Sequence, residues 1–357
     1  MSNLEEAPTE TWVECDATAV GAPQVVEIMT AREVPLGGPR AMTVHRTLPS
    51  RERTMIGAWC FIDHYGPADV SHTGGMVVPP HPHTGLQTVS WLFEGEIEHR
   101  DSVGSHAFVR PGVLNLMTAG HGISHSEVST DDTRVLHGAQ LWVALPSASR
   151  EVDPFFESHE AATTQLGDAD LSIFIGDFAG CSVGATTFTP LVAVEVRLPA
   201  GGAVELPLRP DFEYGLLVDS GPVSVDGTAV ERTELAYTGL GRPSLDVRAG
   251  TEPARLLLIG GEPLDEKILM WWNFVGRSHE EIVAYRTQWQ RESGAPEPDG
   301  GVPAPDAAGE ASAEAADPSH PESVFTTARF GASDHHFAGA PLPAPVLPGV
   351  RLQPRNR

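Results

Sequence analysis

The chain has 357 residues, of which 41% are hydrophobic, and this is enough apolar material for two ordinary folded domains. Its formal net charge of −25, with Lys267 as the single lysine, disfavours nucleic acid or an anionic membrane as a direct partner. The cysteines Cys15, Cys60 and Cys181 are odd in number and far apart, which favours free thiols in a reducing compartment over a disulfide framework.

The first 24 residues carry acids where a secretory signal needs a basic start and an apolar core. No later run approaches the roughly 18 apolar residues of a membrane span, so we expect a cytoplasmic protein without membrane contact. Residues 25–150 hold short β-rich runs broken by Gly and Pro, which predicts a β-barrel. After a connector at 151–185, residues 186–292 repeat this texture and predict a second barrel.

One helix and a tail complete the predicted elements. Ser278 followed by Glu281 is a capping-box pair and predicts a helix over residues 279–290. Residues 293–322 are rich in Ala, Pro, Gly, Asp and Glu and predict a disordered linker, whereas residues 323–357 regain Phe and Leu and are expected to dock in extended form. The predicted fold class is therefore all-β, with two barrels in tandem, a short C-terminal helix and an extended or disordered tail.

Histidines concentrate in the first predicted barrel, where nine of the 15 lie between His64 and His137. The segments HPH, at 81–83, and HSE, at 125–127, each place two potential metal ligands at positions i and i+2. On an extended chain such residues share one face, and the prolines around the first pair favour extension.

Two adjacent strands with these pairs would form a site of three imidazoles and one carboxylate, provided by His81, His83, His125 and Glu127. This ligand set suits one divalent first-row ion such as Fe(II), with Mn, Ni, Cu and Zn also possible, and the spacing does not choose among them.

The run HPHTGLQTVSWLFEGEIEHRDSVG and the later RPGVLNLMTAGHGISHSE resemble the signature of the pirin family. The family shows an HPH-type segment, a D-S-x-G turn, a P-G turn and M-T-A-G-x-G-I-x-H-x-E in this order. The match is dense over residues 58–145 and looser over most of 25–290. The resemblance implies two cupin (jelly-roll) barrels, a bicupin, with mononuclear iron in the first barrel. The second predicted barrel has no H-x-H pair and no His/Glu cluster, so we expect no metal site there. The chain departs from the usual pattern at Thr84 and Gln87, where family members often carry Arg and Glu.

Three further residues are candidates for orienting a metal ligand or lining the pocket, although each is as readily explained by structure: Gln87, His99 and His121.

Two functions of different classes follow from the resemblance. The first is a quercetinase-type dioxygenase that opens a flavonol or similar small aromatic molecule with O2, with Glu127 as both metal ligand and general base. The alternative is a metal- or redox-sensitive regulatory protein that binds a protein partner without turnover. A different cupin reaction, such as isomerisation, is a third and weaker hypothesis.

Overall fold

The computed structural model describes residues 26–36, 42–72, 75–295, 328–331 and 337–354. The predicted N-terminal segment 1–24, Cys15 and most of the predicted linker 293–322 lie outside these residues. The strands up to residue 160 are β1 Glu27–Met29, β2 Arg32–Leu36, β3 Met42–Leu48, β4 Trp59–Asp69, β5 Val77–His83, β6 Leu86–Glu94, β7 Ile97–Asp101, β8 His106–Val109, β9 Val113–Thr118, β10 Ile123–Ser129, β11 Val135–Ala144 and β12 Phe155–Glu160.

The remaining elements are β13 Ala162–Leu166, β14 Ala169–Phe178, β15 Cys181–Val183, β16 Leu191–Leu198, β17 Ala203–Pro207, β18 Glu213–Ser220, β19 Val223–Val225, β20 Thr228–Val230, β21 Leu235–Thr238, β22 Ser244–Ala249, β23 Ala254–Gly261, β24 Leu269–Trp271, β25 Phe274–Gly276 and the helix α1 His279–Ser293. No helix in the described part of the chain is long and apolar enough to span a bilayer.

Two antiparallel sheets form the first barrel. The larger has the strand order β12-β9-β6-β11-β4-β3-β2, and the smaller has the order β5-β10-β7-β8. Val44 and Leu92 of the larger sheet join Val78 and Ile97 of the smaller one in a single apolar cluster. The two sheets therefore face each other across a filled interior, as in a jelly roll.

A second barrel repeats this plan with an eight-stranded sheet, in the order β1-β21-β18-β23-β16-β14-β13 with β15 beside β14, and a four-stranded sheet, β17-β22-β19-β20. Its interior is dominated by Val and Leu from both sheets. The all-β, two-barrel prediction is confirmed. Strand β1 falls within the range predicted for the first barrel, but it pairs with β21 of the second.

The large sheets of the two barrels pack against each other. Trp91 on β6 stacks on Phe174 of β14 with ring centroids 4.2 Å apart, and the indole of Trp59 donates to the carbonyl of Gly260 at 3.0 Å. Because one face of β6 lines the first barrel and the other meets the second, eight of its nine residues are buried. The burial extends from the apolar residues of the strand to its polar residues Gln87, Thr88 and Ser90.

Helix α1 begins as the capping pair predicts, because the Ser278 side chain accepts a hydrogen bond from the backbone N–H of Glu281 at 3.2 Å. The reciprocal bond differs from that of a capping box: the Glu281 carboxylate accepts from the N–H of Arg277, one residue before the cap. Gly294, with φ of 63°, ends the helix in the left-handed conformation. The short C-terminal helix is therefore confirmed.

The described parts of the tail contact the helix and the first barrel. Phe330 is fully buried beside Trp289 of α1 and Phe274 of β25. Further along, the backbone N–H of Leu342 donates to the carbonyl of Pro80 at 2.9 Å, on the edge strand β5. The tail thus reaches the strand that carries two of the candidate ligands.

Candidate metal centre

Four candidate ligands lie on two neighbouring strands of the small sheet in the first barrel. His81 and His83 are on β5, His125 and Glu127 are on β10, and His125 lies directly opposite His81 in the antiparallel register. The ring centroids of the three imidazoles are 4.3 to 5.0 Å apart. Each i, i+2 pair therefore projects from one face of its strand toward the other pair.

The three histidines present buried nitrogen atoms that have no hydrogen-bond partner. These atoms include Nε2 of His81, His83 and His125, and the three residues can bring one ligand atom each within 4.8 Å of one another. An unpaired buried imidazole nitrogen is costly, and a metal ion removes this cost. The convergence of three such atoms thus fits a bound cation.

Burial also keeps these imidazoles neutral, as metal ligation requires. It lowers the pKa of His81 to about 4 and holds the pKa values of His83 and His125 well below the ordinary value for histidine. A hydrogen bond of 2.9 Å joins His81 Nδ1 to the carbonyl of Pro79. Because a carbonyl can only accept, Nδ1 carries the proton and the lone pair of Nε2 is left for a metal.

Glu127, the fourth candidate, is 1% exposed and has a polar network beside it. The Ser90 hydroxyl lies 3.5 Å from Glu127 Oε1 and donates to Gln140 Oε1 at 2.9 Å, while the Gln140 amide donates to the carbonyl of Val89. Sequence reasoning missed Ser90 and Gln140. Both are polar residues flanked by apolar ones, at positions that face the barrel interior, and this pattern could have identified them.

The turn before the second pair has the tight geometry that its glycines suggest. Gly120 has φ of 50°, and a Cβ there would lie 1.9 Å from the carbonyl oxygen of Val152. A Cβ on Gly122 would lie 2.5 Å from the side chain of Arg329, in the C-terminal tail. Side chains at either position would displace the chain that leads into β10.

Two other predicted histidines have different surroundings. His99 on β7 is buried, and its Nδ1 lies 3.3 Å from Nδ1 of His125. His121 is one-third exposed, and its Nε2 lies 3.5 Å from the exposed carboxylate of Asp153. The structure thus brings His99 to the candidate site and places the His121 ring beside a surface acid.

Gln87 and Trp91 are four residues apart on β6 and therefore lie on the same face of the strand, the face that meets the second barrel. The Gln87 amide donates to Thr118 Oγ1 at 2.9 Å and to the carbonyl of Thr186 at 2.8 Å. Ser90 occupies the opposite face of the strand, toward the candidate ligands. Gln87 therefore joins the first barrel to the segment that leads into the second.

A second cluster lies between the barrels, where His64 and His137 of the first meet Asp219 of the second. Their Nε2 atoms lie 2.7 and 2.5 Å from Asp219 Oδ1, and Arg255 Nε lies 3.4 Å from Asp219 Oδ2. Each Nε2 here is satisfied by the carboxylate, and a guanidinium stands where a cation would be repelled. These contacts make the cluster a hydrogen-bonded link between the two barrels, which we call the clamp.

The fold and the buried ligand cluster define a two-barrel cupin with a candidate metal centre in its first barrel. The family model for pirin matches residues 41–143, and the model for the pirin C-terminal cupin domain matches residues 193–293. The chain belongs to the pirin family.

Two proteins of similar sequence and one crystal structure support this assignment. A Pseudomonas aeruginosa protein provisionally named as a quercetin 2,3-dioxygenase is 42% identical over 296 residues, 81% of this chain and 91% of the relative. A pirin-like protein of Caulobacter vibrioides is 35% identical over 74% of this chain and 92% of its own length. The crystal structure of a quercetin 2,3-dioxygenase from Acinetobacter baumannii superposes with a TM-score of 0.78 at 34% identity, and the match covers 92% of this chain and 97% of that one. Together with the candidate ligands, these relatives imply a divalent metal ion.

Proposed function

We propose that this protein is a mononuclear iron dioxygenase of the quercetinase type, with the ion held by His81, His83, His125 and Glu127. The observation that carries the proposal is the convergence of three unpaired, buried Nε2 atoms beside a buried carboxylate. The names of the relatives from Pseudomonas aeruginosa and Acinetobacter baumannii supply the substrate class, a flavonol with O2 as co-substrate.

The donor set supports a first-row transition ion. Imidazole suits Fe, Ni, Cu and Zn, carboxylate suits harder ions such as Mn, and a mixture of the two is typical of mononuclear non-haem iron. When bound, the ion would supply Lewis-acid polarisation and one-electron redox chemistry. The three histidines would hold it in a site that the sheet has already shaped.

Glu127 is the group that would move a proton. With one carboxylate oxygen directed to the ion, the other could accept the hydroxyl proton of a flavonol, provided that the two oxygens come within hydrogen-bond reach. The single proton of the Ser90 hydroxyl can reach either Gln140 Oε1 or Glu127 Oε1, and when directed to Glu127 it would fix which carboxylate oxygen faces the substrate. Glu127 would therefore serve both as a metal ligand and as the proton acceptor.

The test is O2 consumption by anaerobically purified, Fe(II)-loaded protein mixed with quercetin, alongside the loss of flavonol absorbance. We expect turnover by the wild type and by His106→Ala, whose ring is exposed on β8, and no turnover by His125→Ala. Absence of turnover with Fe, Mn, Ni, Cu and Zn would remove the dioxygenase assignment. Capture of a protein partner by the metal-loaded form alone would then support the regulatory alternative.

A further inference from the structure

A third i, i+2 pair lies on β7, the other neighbour of β10 in the small sheet. His99 is opposite Glu127 and Asp101 is opposite His125 in the antiparallel register. Their side chains are 3% and 0% exposed. Three adjacent strands therefore each carry two polar side chains at this spacing, and only two of the pairs belong to the candidate ligand set.

The pair on β7 connects to the ligand His125 through a chain of hydrogen bonds. His125 Nδ1 lies 3.3 Å from His99 Nδ1, and His99 Nε2 lies 3.3 Å from Asp101 Oδ2. The ring of Phe156 stacks on His99 with centroids 4.6 Å apart and an interplanar angle of 25°, which fixes the plane of the imidazole. Because both nitrogens of His99 are engaged, neither has a lone pair left for a metal ion.

The orientation of the Asp101 carboxylate is also fixed. Its other oxygen, Oδ1, accepts hydrogen bonds from the backbone N–H groups of Val103 at 3.1 Å and Ser105 at 2.9 Å, in the turn that leaves β7. Two backbone donors on one oxygen leave Oδ2 to face His99. A carboxylate can only accept, so His99 must present a proton at Nε2.

We propose that Asp101 and His99 form a positioning relay that sets the tautomer of His125 for metal binding. In a neutral His99 ring, a proton on Nε2 leaves Nδ1 as an acceptor, and His125 then carries its proton on Nδ1. The lone pair of His125 Nε2 is thereby directed into the candidate site. This inference rests on the proposed metal site and names the residues that prepare one of its ligands.

The substitution Asp101→Asn reverses this relay at nearly constant volume. The amide oxygen is required by the two backbone N–H groups, so the amide N–H2 faces His99 and donates to its Nε2. His99 then carries its proton on Nδ1 and donates to His125 Nδ1, which moves the His125 proton to Nε2. A proton at that position competes directly with a metal ion.

The relay can be tested by metal affinity. In Fe(II) competition titrations against a chromophoric chelator, Asp101→Asn and His99→Leu should bind the ion about 10- to 100-fold more weakly than the wild type. His99→Gln should recover most of the affinity, because its amide oxygen can accept from His125 while its N–H2 donates to Asp101. Equal affinity of Asp101→Asn and wild type would overturn the relay.

A second readout needs no metal. Long-range proton–nitrogen NMR spectra of the metal-free protein should show His125 protonated at Nδ1 in the wild type and at Nε2 in Asp101→Asn, with the fold of both checked by circular dichroism. The same tautomer in both would refute the proposal even if affinity falls. If the His125 tautomer differs between the two proteins but the wild type binds no metal, the proposed function is refuted and the relay stands.

Discussion

The clamp between the barrels makes a quantitative prediction for Asp219→Asn. In the folded protein Asp219 Oδ1 accepts hydrogen bonds from His64 and His137, and Oδ2 faces Arg255. An asparagine cannot satisfy these three groups, because its N–H2 must point either at the imidazole donors or at the guanidinium. Hydrogen bonds to a charged group contribute about 1.5–3 kcal/mol each, so we expect a loss of about 2–4 kcal/mol in the free energy of unfolding.

The loss should depend on pH. Burial opposes ionisation of Asp219, but the hydrogen bonds from His137 and His64 outweigh it and hold its pKa well below the ordinary value. A depressed pKa in the folded state contributes stability above the unfolded pKa of about 3.9, and this stability is lost as the pH falls further. The difference between wild type and Asp219→Asn should therefore be full at pH 6 and shrink below about pH 4.

Urea unfolding followed by tryptophan fluorescence measures both quantities. Asp246→Asn is a matched control, because this half-exposed aspartate of the second barrel pairs with Arg248 at the surface, and its loss should change the free energy by no more than about 0.5 kcal/mol. If Asp219→Asn were as stable as the wild type at pH 6, the clamp would contribute nothing to barrel docking.

Three further predictions concern residues away from the ligands. Trp91→Phe removes the indole N–H that donates to Glu195 across the interface at 2.7 Å, and urea unfolding should show a loss of about 2 kcal/mol in the free energy of unfolding. No loss would mean that Arg197, the other partner of this buried carboxylate, is sufficient to stabilise it. Phe330→Ala should lower the free energy of unfolding by about 3–5 kcal/mol in the same assay. The control Val350→Ala, at a residue that is 63% exposed, should lower it by about 0.5 kcal/mol or less. Equal effects of the two substitutions would contradict docking of the tail. Burial raises the pKa of the Cys60 thiol to about 12. Mass spectrometry after iodoacetamide treatment at pH 8 should therefore find Cys60 alkylated only in the unfolded protein. Rapid alkylation of the native protein would count against this burial.

Much of the fold could be predicted from local signals. Short β-rich runs between Gly and Pro identified two barrels, and Ser278 with Glu281 marked the start of α1. The pairing of β1 with β21 could not be predicted, because a strand of three residues carries too little pattern to select between two barrels. The clamp was missed for a related reason: Asp219 lies more than 80 residues from either histidine, and only the docking of the barrels brings them together.

The candidate ligands could be predicted because their spacing is local. HPH and HSE are each i, i+2 pairs on an extended chain, and the structure places their strands side by side. The pair His99 and Asp101 has the same spacing in the sequence, but its role depends on which ring nitrogen faces which neighbour. That information lies in the register of β7 against β10 and in the turn that binds Asp101, and spacing does not contain it.

The most direct measurement is the metal content of the purified, iron-reconstituted protein compared with that of His125→Ala and the surface control His106→Ala. The proposed site predicts about one ion per chain in the wild type and in His106→Ala, and almost none in His125→Ala. Equal metal content in the wild type and His125→Ala would show that the ion binds elsewhere, and the metal centre assigned to the first barrel would be wrong.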